Sequence, residues 1–169
     1  MTDPQFSSAR DPTPNLYRNQ FALRHLFLLM AIFAVGLFAF SLFSRGMMPG
    51  KFLNAARDGD LTSLRSYVES GVDINYRDEW STTGIMMSSS NGHTDCVQFL
   101  LESGADPNER SRLGRTPLIW AALSGRIETV RLLIENGAIT TVVDSKGLTA
   151  TDYAQQNGHA QLAAFLTTQ

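Results

Sequence analysis

The chain has 169 residues, 43% of them hydrophobic and 18% charged, which is enough for one modest domain. Its single cysteine, Cys96, excludes an intramolecular disulfide. The formal net charge of −2 divides into +2 over residues 1–50 and −4 over residues 51–169, and an acidic region of that kind has no electrostatic reason to bind nucleic acid.

The N-terminal part of the chain combines a polar tail with a long apolar run. Residues 1–25 are predicted to be disordered, because the first 20 carry three of the six prolines and show no apolar periodicity. Residues 26–44 contain 19 residues without a charge, and a helix of that length spans about 28 Å, close to the thickness of the bilayer interior. We therefore predict a single transmembrane helix that acts as a signal anchor, followed by a short linker at residues 45–50.

Cleavage of this apolar run as a signal peptide is the alternative. The apolar core is longer than the usual length of about 7–15 residues, and the small-residue tripeptide at 39–41 lies inside the run. We therefore favour an uncleaved anchor. Three Lys or Arg residues lie near each end, so charge does not orient the helix. A tail that remains inside need not translocate its own arginines, which favours an extracytoplasmic position for the rest of the chain.

Two series of glycines recur over the rest of the chain with one shared period of about 33 residues, which is typical of stacked repeats. The first series is Gly59, Gly92, Gly125 and Gly158, and the second is Gly71, Gly104 and Gly137. We interpret the first series as the breaks between paired helices and the second as the exits from each pair into a turn. The predicted units are residues 51–78, 79–110, 111–143 and 144–169.

Helix-start signals differ among the units. Thr83 is predicted to cap its helix with the side-chain hydroxyl, as is Thr116, which is followed by proline. Thr149 and the acidic residue three positions later form a capping-box pattern. Ser88 and Ser89 replace the alanines of the third unit, which predicts that the first helix of the second unit is the least stable of the set.

The third unit reads GRTPLIWAALSGRIETVRLLIENGA over residues 114–138 and resembles the ankyrin repeat, in which D-x-x-G-x-T-P-L-H-x-A is followed by G-H, an apolar run and G-A-D-x-N. The resemblance covers residues 51–169. It implies an all-α ankyrin-repeat solenoid of about four helix-turn-helix repeats, preceded here by the predicted transmembrane helix. The motif histidine is Met86, Ile119 and Asp152 in this chain, so we expect apolar packing to replace the usual polar cross-link between repeats.

The sequence shows no arrangement suited to catalysis or metal binding. Its glycines lie at helix ends rather than in a phosphate-binding loop, and its carboxylates are scattered. His93 and His159 are interpreted as residues that begin second helices, and Cys96 as a buried small residue. We predict that the protein is not an enzyme and has no cofactor, metal or small-molecule substrate.

Candidate partner-binding residues lie at the turn tips and on the adjoining first helices, which are free of packing roles in a repeat stack. They are Glu79, Trp80, Thr82, Ser90, Asn91, Arg112, Leu113, Arg115, Leu123, Ser145, Lys146 and Leu148. Trp80 is the strongest candidate, because aromatic and arginine side chains dominate binding energies. The alternative is that Trp80 folds back onto the weak helix beside Met86 and Met87. Trp120 and Tyr153 are interpreted as packing between repeats.

Arg110, Arg112 and Arg115 form a basic cluster that suits an acidic partner or a lipid headgroup, with a merely solvated tip as the alternative. The sequence as a whole predicts a non-catalytic protein-interaction module that is tethered to a membrane through residues 26–44 and serves an unidentified protein as scaffold or adaptor. The alternative is a secreted or periplasmic repeat protein, released by signal cleavage, that supports or inhibits a partner enzyme.

Overall fold

The computed structural model describes residue 30 and residues 49–169. Within these residues all regular structure is helical, with no strand, in agreement with the all-α prediction. The predicted tail and nearly all of the predicted membrane segment lie outside the described residues. Among the helices that are described, none combines the length and the apolarity needed to cross a bilayer.

Eight helices follow one another in residues 49–169. They are α1 (helical at residues 49–58), α2 (Leu61–Glu69), α3 (Gly84–Asn91), α4 (Thr94–Glu102), α5 (Pro117–Leu123), α6 (Ile127–Glu135), α7 (Ala150–Gln156) and α8 (Ala160–Thr167). Because α1 already includes Pro49 and Gly50, the predicted linker at residues 45–50 is too long at its C-terminal end.

The helices form two layers that share one apolar core. The inner helices α1, α3, α5 and α7 bury both small and large residues, among them Ala56, Ser88, Ser89, Ala121, Ala122, Ala154, Phe52, Ile85, Met86, Leu118 and Ile119. The outer helices bury branched residues such as Leu64, Val97, Leu100, Val130, Leu133 and Leu162. Neighbouring inner helices pack more extensively on each other than neighbouring outer helices do. Each of the turns that connect the repeats leads directly into an inner helix, α3, α5 or α7.

The two glycine series have the predicted positions but different surroundings. Gly59 joins α1 to α2 with φ of +76°, and a Cβ atom there would lie 2.5 Å from Nδ1 of His93 in the next repeat. Gly71 follows α2 with φ of +83° and open space around its Cα. The first position therefore needs glycine both for its left-handed backbone and for close approach, whereas the second needs it for the backbone alone.

The caps of the inner helices are only partly as predicted. Thr116 Oγ1 accepts the Ile119 N–H at 3.4 Å, and Thr149 forms a capping box with Asp152. Thr83 lies at the N-cap position of α3, but its Oγ1 is buried without a hydrogen-bond partner. The prediction that its hydroxyl caps α3 is therefore wrong.

A backbone difference accompanies this missing cap. The φ angle of Thr83 is −107°, against −87° at Thr116 and −88° at Thr149. Gly84 follows Thr83, and it lacks the ring by which Pro117 presets the first helical residue. The ring of Phe52 occupies the space that a side chain at Gly84 would need, since a Cβ atom there would lie 2.9 Å from it. Close packing of α1 on α3 thus accompanies the loss of the cap.

Polar bonds join successive repeats at the start of the outer helices, where a side chain reaches the carbonyl group of a residue 36 positions earlier. The pairs are His93 Nε2 with Arg57 at 2.9 Å, Arg126 Nε with Ser90 at 3.4 Å, and His159 Nε2 with Leu123 at 3.3 Å. Met86 and Ile119 are buried as expected. Apolar side chains therefore pack at the motif-histidine position of the second and third units, while the polar bonds between repeats lie at the start of the outer helices.

Candidate functional site

The candidate site is built on three five-residue turns, here called the tips, at residues 78–82, 111–115 and 144–148. In each tip the N–H of the first residue donates to the carbonyl of the fifth, at 3.0–3.1 Å. The side chain of the first residue then accepts backbone N–H groups inside the turn. Asp78 Oδ1 accepts those of Trp80 and Thr82, at 2.9 and 2.7 Å. An Asp or Ser at this position therefore fixes the shape of the tip.

Backbone hydrogen bonds connect the three tips into one continuous surface, here called the tip row. The N–H of Arg112 donates to the Trp80 carbonyl at 2.8 Å, and the N–H of Ser145 donates to the Leu113 carbonyl at 2.9 Å. Trp80, Leu113 and Lys146 occupy equivalent positions in the three successive tips. The tip row is thus a preformed array rather than three independent loops.

Trp80 points outward from the first tip. Its side chain is 64% exposed, and the guanidinium carbon of Arg112 lies 5.7 Å from the centroid of its ring. The alternative that it folds back beside Met86 and Met87 is therefore wrong. A cation–π contact of this kind contributes about 0.5–1 kcal/mol at an exposed site. Arg112 of the second tip thus restrains the aromatic ring of the first.

Arg115 is engaged inside the protein. Its Nε lies 3.3 Å from Asp144 Oδ2, its Nη2 donates to the Tyr153 hydroxyl at 3.0 Å, and that hydroxyl donates to Asp144 Oδ2 at 2.6 Å. The Arg115 side chain is only 14% exposed. Arg115 therefore joins the third repeat to the fourth and has little surface left for a partner. Tyr153 belongs to the same junction, as the packing interpretation predicted.

The electrostatics of this junction favour an ionised Asp144. Burial raises its pKa, but hydrogen bonds from the Tyr153 hydroxyl, the backbone N–H groups of Lys146 and Leu148, and Arg115 outweigh that effect and bring the pKa to about 2. Burial, together with the hydrogen bond to Asp144, raises the pKa of Tyr153. The junction thus combines a buried carboxylate with a neutral phenol and a guanidinium.

The other predicted contact residues divide between exposed and structural positions. Thr82 is only 7% exposed, which removes its side chain from the available surface. Ser90 shares a hydrogen bond with Ser124 at 3.4 Å, and Leu123 and Leu148 are half-buried. The exposed members are Glu79, Trp80, Asn91, Arg112, Leu113, Ser145 and Lys146. The exposed set is therefore concentrated on the tip row.

Two exposed side chains beside the tip row are absent from the predicted contact residues. Arg110 is exposed, and its Nη2 donates to the Val143 carbonyl at 2.6 Å. Val143 is 44% exposed. Arg110 lies in the basic cluster recognised from the sequence, but its contact with the equivalent part of the next repeat depends on how the repeats stack.

The described residues offer little for catalysis. Burial raises the pKa of the Cys96 thiol, with further contributions from Asp95 and Asp60, so the thiolate needed for nucleophilic attack is disfavoured. His93 and His159 bond to carbonyl groups of the preceding repeats. Within residues 49–169, no group of three or more His, Cys, Asp or Glu side chains is placed to hold a metal ion.

Comparison with known proteins identifies one recurrent pattern. The family model described as ankyrin repeats (3 copies) matches residues 52–144 and residues 103–169. These two overlapping matches span well over half of the chain. A search of curated proteins gave no match.

Proposed function

Because this chain belongs to the ankyrin-repeat family, we propose that it is a non-catalytic scaffold or adaptor that captures a partner protein on its tip row. Ankyrin repeats indicate a protein-protein interaction module. The finer proposal is that the first two tips supply the main contacts. The exposed members of the tip row are the side chains that the fold leaves free for this role.

The observation that carries this proposal is the exposed pair formed by Trp80 and Arg112. A tryptophan that is 64% exposed forgoes much of the free energy that burial of its ring would give. Tryptophan and arginine are also the side chains most enriched among residues that dominate binding energies. Since hydrogen bonds hold both tips in place, little conformational entropy is lost when a partner binds.

Affinity capture with the full-length, tagged protein tests this proposal. In the double variant Trp80→Ala/Arg112→Ala, we expect recovery of the partner to fall about tenfold or more, as removal of a dominant contact implies. Quantitative mass spectrometry of the captured proteins measures the change. Ile139→Ala is the matched control, because Ile139 is 52% exposed but lies outside the tip row. Equal recovery of the partner by the wild type and the double variant would contradict the proposal.

The second part of the proposal is a membrane tether formed by residues 26–44. Its support is the run of 19 uncharged residues, which ends only five positions before the first residue of the described part of α1. A tether there would keep the tip row close to the lipid surface. We place the repeats on the extracytoplasmic side, because the arginines of the N-terminal tail then need not cross the membrane.

Membrane fractionation tests the tether. We expect the protein to remain in the membrane pellet after an alkaline carbonate wash, with its N-terminus intact by mass spectrometry. Release into the soluble fraction with a new N-terminus near residue 42 would instead support the secreted alternative, in which the repeats support or inhibit a partner enzyme. Reporter fusions at both termini determine which side of the membrane the repeats face.

A further inference from the structure

The charges around the second and third tips differ in sign from that of the repeat region as a whole, because residues 110–115 and 144–148 hold Arg110, Arg112, Arg115 and Lys146 against Asp144 alone. Arg110, Arg112 and Lys146 are exposed, and none of them forms an ion pair with another residue of 49–169. Residues 51–169 nevertheless carry a net charge of −4. A row of free cations on an otherwise acidic domain creates a local positive potential, and such a potential attracts a negatively charged partner.

The carboxylates nearest these cations are already bound to other groups of the protein, so their oxygens are not paired with Arg110, Arg112 or Lys146. Asp78 and Asp144 accept the backbone N–H groups of their own tips, and Asp144 also binds Arg115. Glu109 is paired with Arg77. Glu79 is the remaining exposed carboxylate of the tip row in the described part of the chain. Among the exposed groups of the tip row in residues 49–169, Arg112 and Lys146 therefore face one free carboxylate, and Arg110 adds a third cation beside the row.

The two arginines are held in place but keep donors for a ligand. Arg110 uses Nη2 for the Val143 carbonyl, and Arg112 lies over the ring of Trp80. A guanidinium has five N–H donors, so each arginine can still bind a carboxylate through two parallel hydrogen bonds. Because each arginine already has a fixed neighbour, less side-chain entropy is lost on binding.

Exposed apolar side chains accompany these cations. Trp80 is 64% exposed and Leu113 is 50% exposed, and they occupy equivalent positions in successive tips. An occupant of the tip row therefore needs an apolar group as well as negative charge. A purely polar polyanion would leave both apolar side chains in water.

We propose that the occupant is an extended, acidic protein segment that places carboxylates on Arg112 and Lys146 and an apolar side chain on Trp80 and Leu113. This inference rests on the proposed function and specifies the chemistry of the partner. Adjacent packed helices lie about 8–10 Å apart, and an extended chain rises about 3.3 Å per residue. Successive repeats therefore match positions about three residues apart in the bound segment.

An anionic lipid surface is the competing occupant, and one observation disfavours it. Glu79 is exposed next to Trp80, so insertion of that ring among anionic headgroups would also bring a carboxylate to them. A lipid surface becomes one outcome of the test.

Selection of peptides by the full-length protein in neutral detergent micelles tests the proposal. The probe is a phage-displayed library of random peptides of about 12 residues, long enough to cross three tips at about three residues per repeat. We expect the selected peptides to be rich in Asp and Glu and to contain an aromatic residue or leucine. Each peptide is then compared with a version in which Asn and Gln replace Asp and Glu, and we expect the uncharged version to bind about tenfold more weakly.

Charge reversal in the protein provides the second readout. Arg112→Glu/Lys146→Glu is expected to weaken binding of the acidic peptides about tenfold or more, and higher salt is expected to weaken binding to the wild type. The matched control is Lys51→Glu, because Lys51 is an exposed lysine of α1 that lies outside the tip row. We expect this control to change affinity by less than about twofold. Circular dichroism confirms that each variant is folded.

The possible outcomes separate this inference from the proposed function. If the uncharged peptides bind equally well but Trp80→Ala weakens them, the tip row binds proteins and the acidic chemistry is wrong. If neither Trp80→Ala nor the charge reversal has an effect, both proposals are wrong. A selection that yields no peptide overturns the acidic-segment proposal. The last measurement is binding to vesicles of phosphatidylcholine and phosphatidylglycerol. The acidic-segment proposal also fails if Arg112→Glu/Lys146→Glu abolishes vesicle binding without affecting peptide binding.

Discussion

Two junctions between repeats use equivalent positions in different ways. At the junction of the third and fourth repeats, Asp144 and Tyr153 bind each other and Arg115 in a closed, buried network. At the junction of the second and third repeats, the equivalent positions hold Ser111 and Trp120. There Nε1 of Trp120 is buried without a hydrogen-bond partner. Polar groups are therefore satisfied at one junction and left incomplete at the other.

The same contrast extends to the inner helices. Thr149 shares a capping box with Asp152, whereas the Oγ1 of Thr83 and the Oγ of Ser89 are buried without partners. The exposed apolar groups lie toward the other end of the stack. Trp80 of the first tip has the most exposed large apolar side chain of the repeats. The C-terminal repeat thus pairs its buried polar groups, while the second repeat combines unpaired buried hydroxyls with the most exposed large apolar side chain among residues 49–169. Functional surfaces are often found in the less stable parts of a fold.

Among the substitutions that test this contrast, removal of the Asp144 side chain should have the largest effect on the free energy of unfolding. We expect Asp144→Ala to lower the free energy of unfolding by about 3 kcal/mol, because it leaves Arg115 and Tyr153 without their acceptor. Asp78→Ala, at the equivalent position, should lower it by about 1 kcal/mol, because it removes only bonds within one tip. Urea unfolding of the full-length protein in neutral detergent, followed by tryptophan fluorescence, measures both. Equal losses would show that the network of Asp144 with Arg115 and Tyr153 adds no stability beyond the bonds within one tip.

The stability of the wild type should depend more strongly on pH than that of a variant without the Asp144 carboxylate. The pKa of Asp144 in the folded protein is about 2, below the ordinary value of 3.8, so ionisation of this group stabilises the fold. Its contribution is complete above pH 4 or so and is lost as the pH falls toward 2, with a total of about 2 kcal/mol. Unfolding free energies measured across this window should fall more steeply for the wild type than for Asp144→Asn. Parallel curves would contradict the assignment.

The smallest expected effects concern two adjacent serines of α3. Ser89 Oγ has no partner, whereas Ser88 Oγ donates to the Ala56 carbonyl at 2.9 Å. We expect Ser89→Ala to stabilise the protein by about 1 kcal/mol, because it removes an unsatisfied hydroxyl and improves helix propensity. Ser88→Ala should destabilise it by up to about 1 kcal/mol, because a hydrogen bond is lost. The same urea unfolding experiment checks both signs, and destabilisation by Ser89→Ala would show that its hydroxyl has a partner such as water.

Most of the fold follows from local patterns in the sequence. The glycine period predicts the breaks between helices, and the signals at Thr116 and Thr149 predict two caps correctly, because each depends on residues within one turn of helix. The failure at Thr83 is accompanied by a nonlocal contact that local patterns do not contain. The ring of Phe52 occupies the space beside Gly84, and that ring belongs to α1 of the preceding repeat.

The candidate site is less predictable for the same reason. The register of the glycine series correctly places Trp80, Arg112 and Leu113 on exposed tips. The register alone does not show that Arg115 turns inward, because its partners Asp144 and Tyr153 belong to the next repeat. It also does not show that His93 reaches the carbonyl of Arg57 in the repeat before it. Such contacts depend on how the repeats stack, which a single unit does not specify.

The hydrogen bond from Arg112 to the Trp80 carbonyl has a consequence for how the protein can change in size. The second tip donates to the first and accepts from the third, and the bonds at the outer helices also reach only one repeat back. A tandem copy of residues 111–143 would bring its own donor, acceptor and Arg126, so it would fit between its neighbours without altering them. An insertion of any other length would place donors opposite the wrong positions. The tip row can therefore be lengthened or shortened only in whole repeats, by about 8–10 Å each.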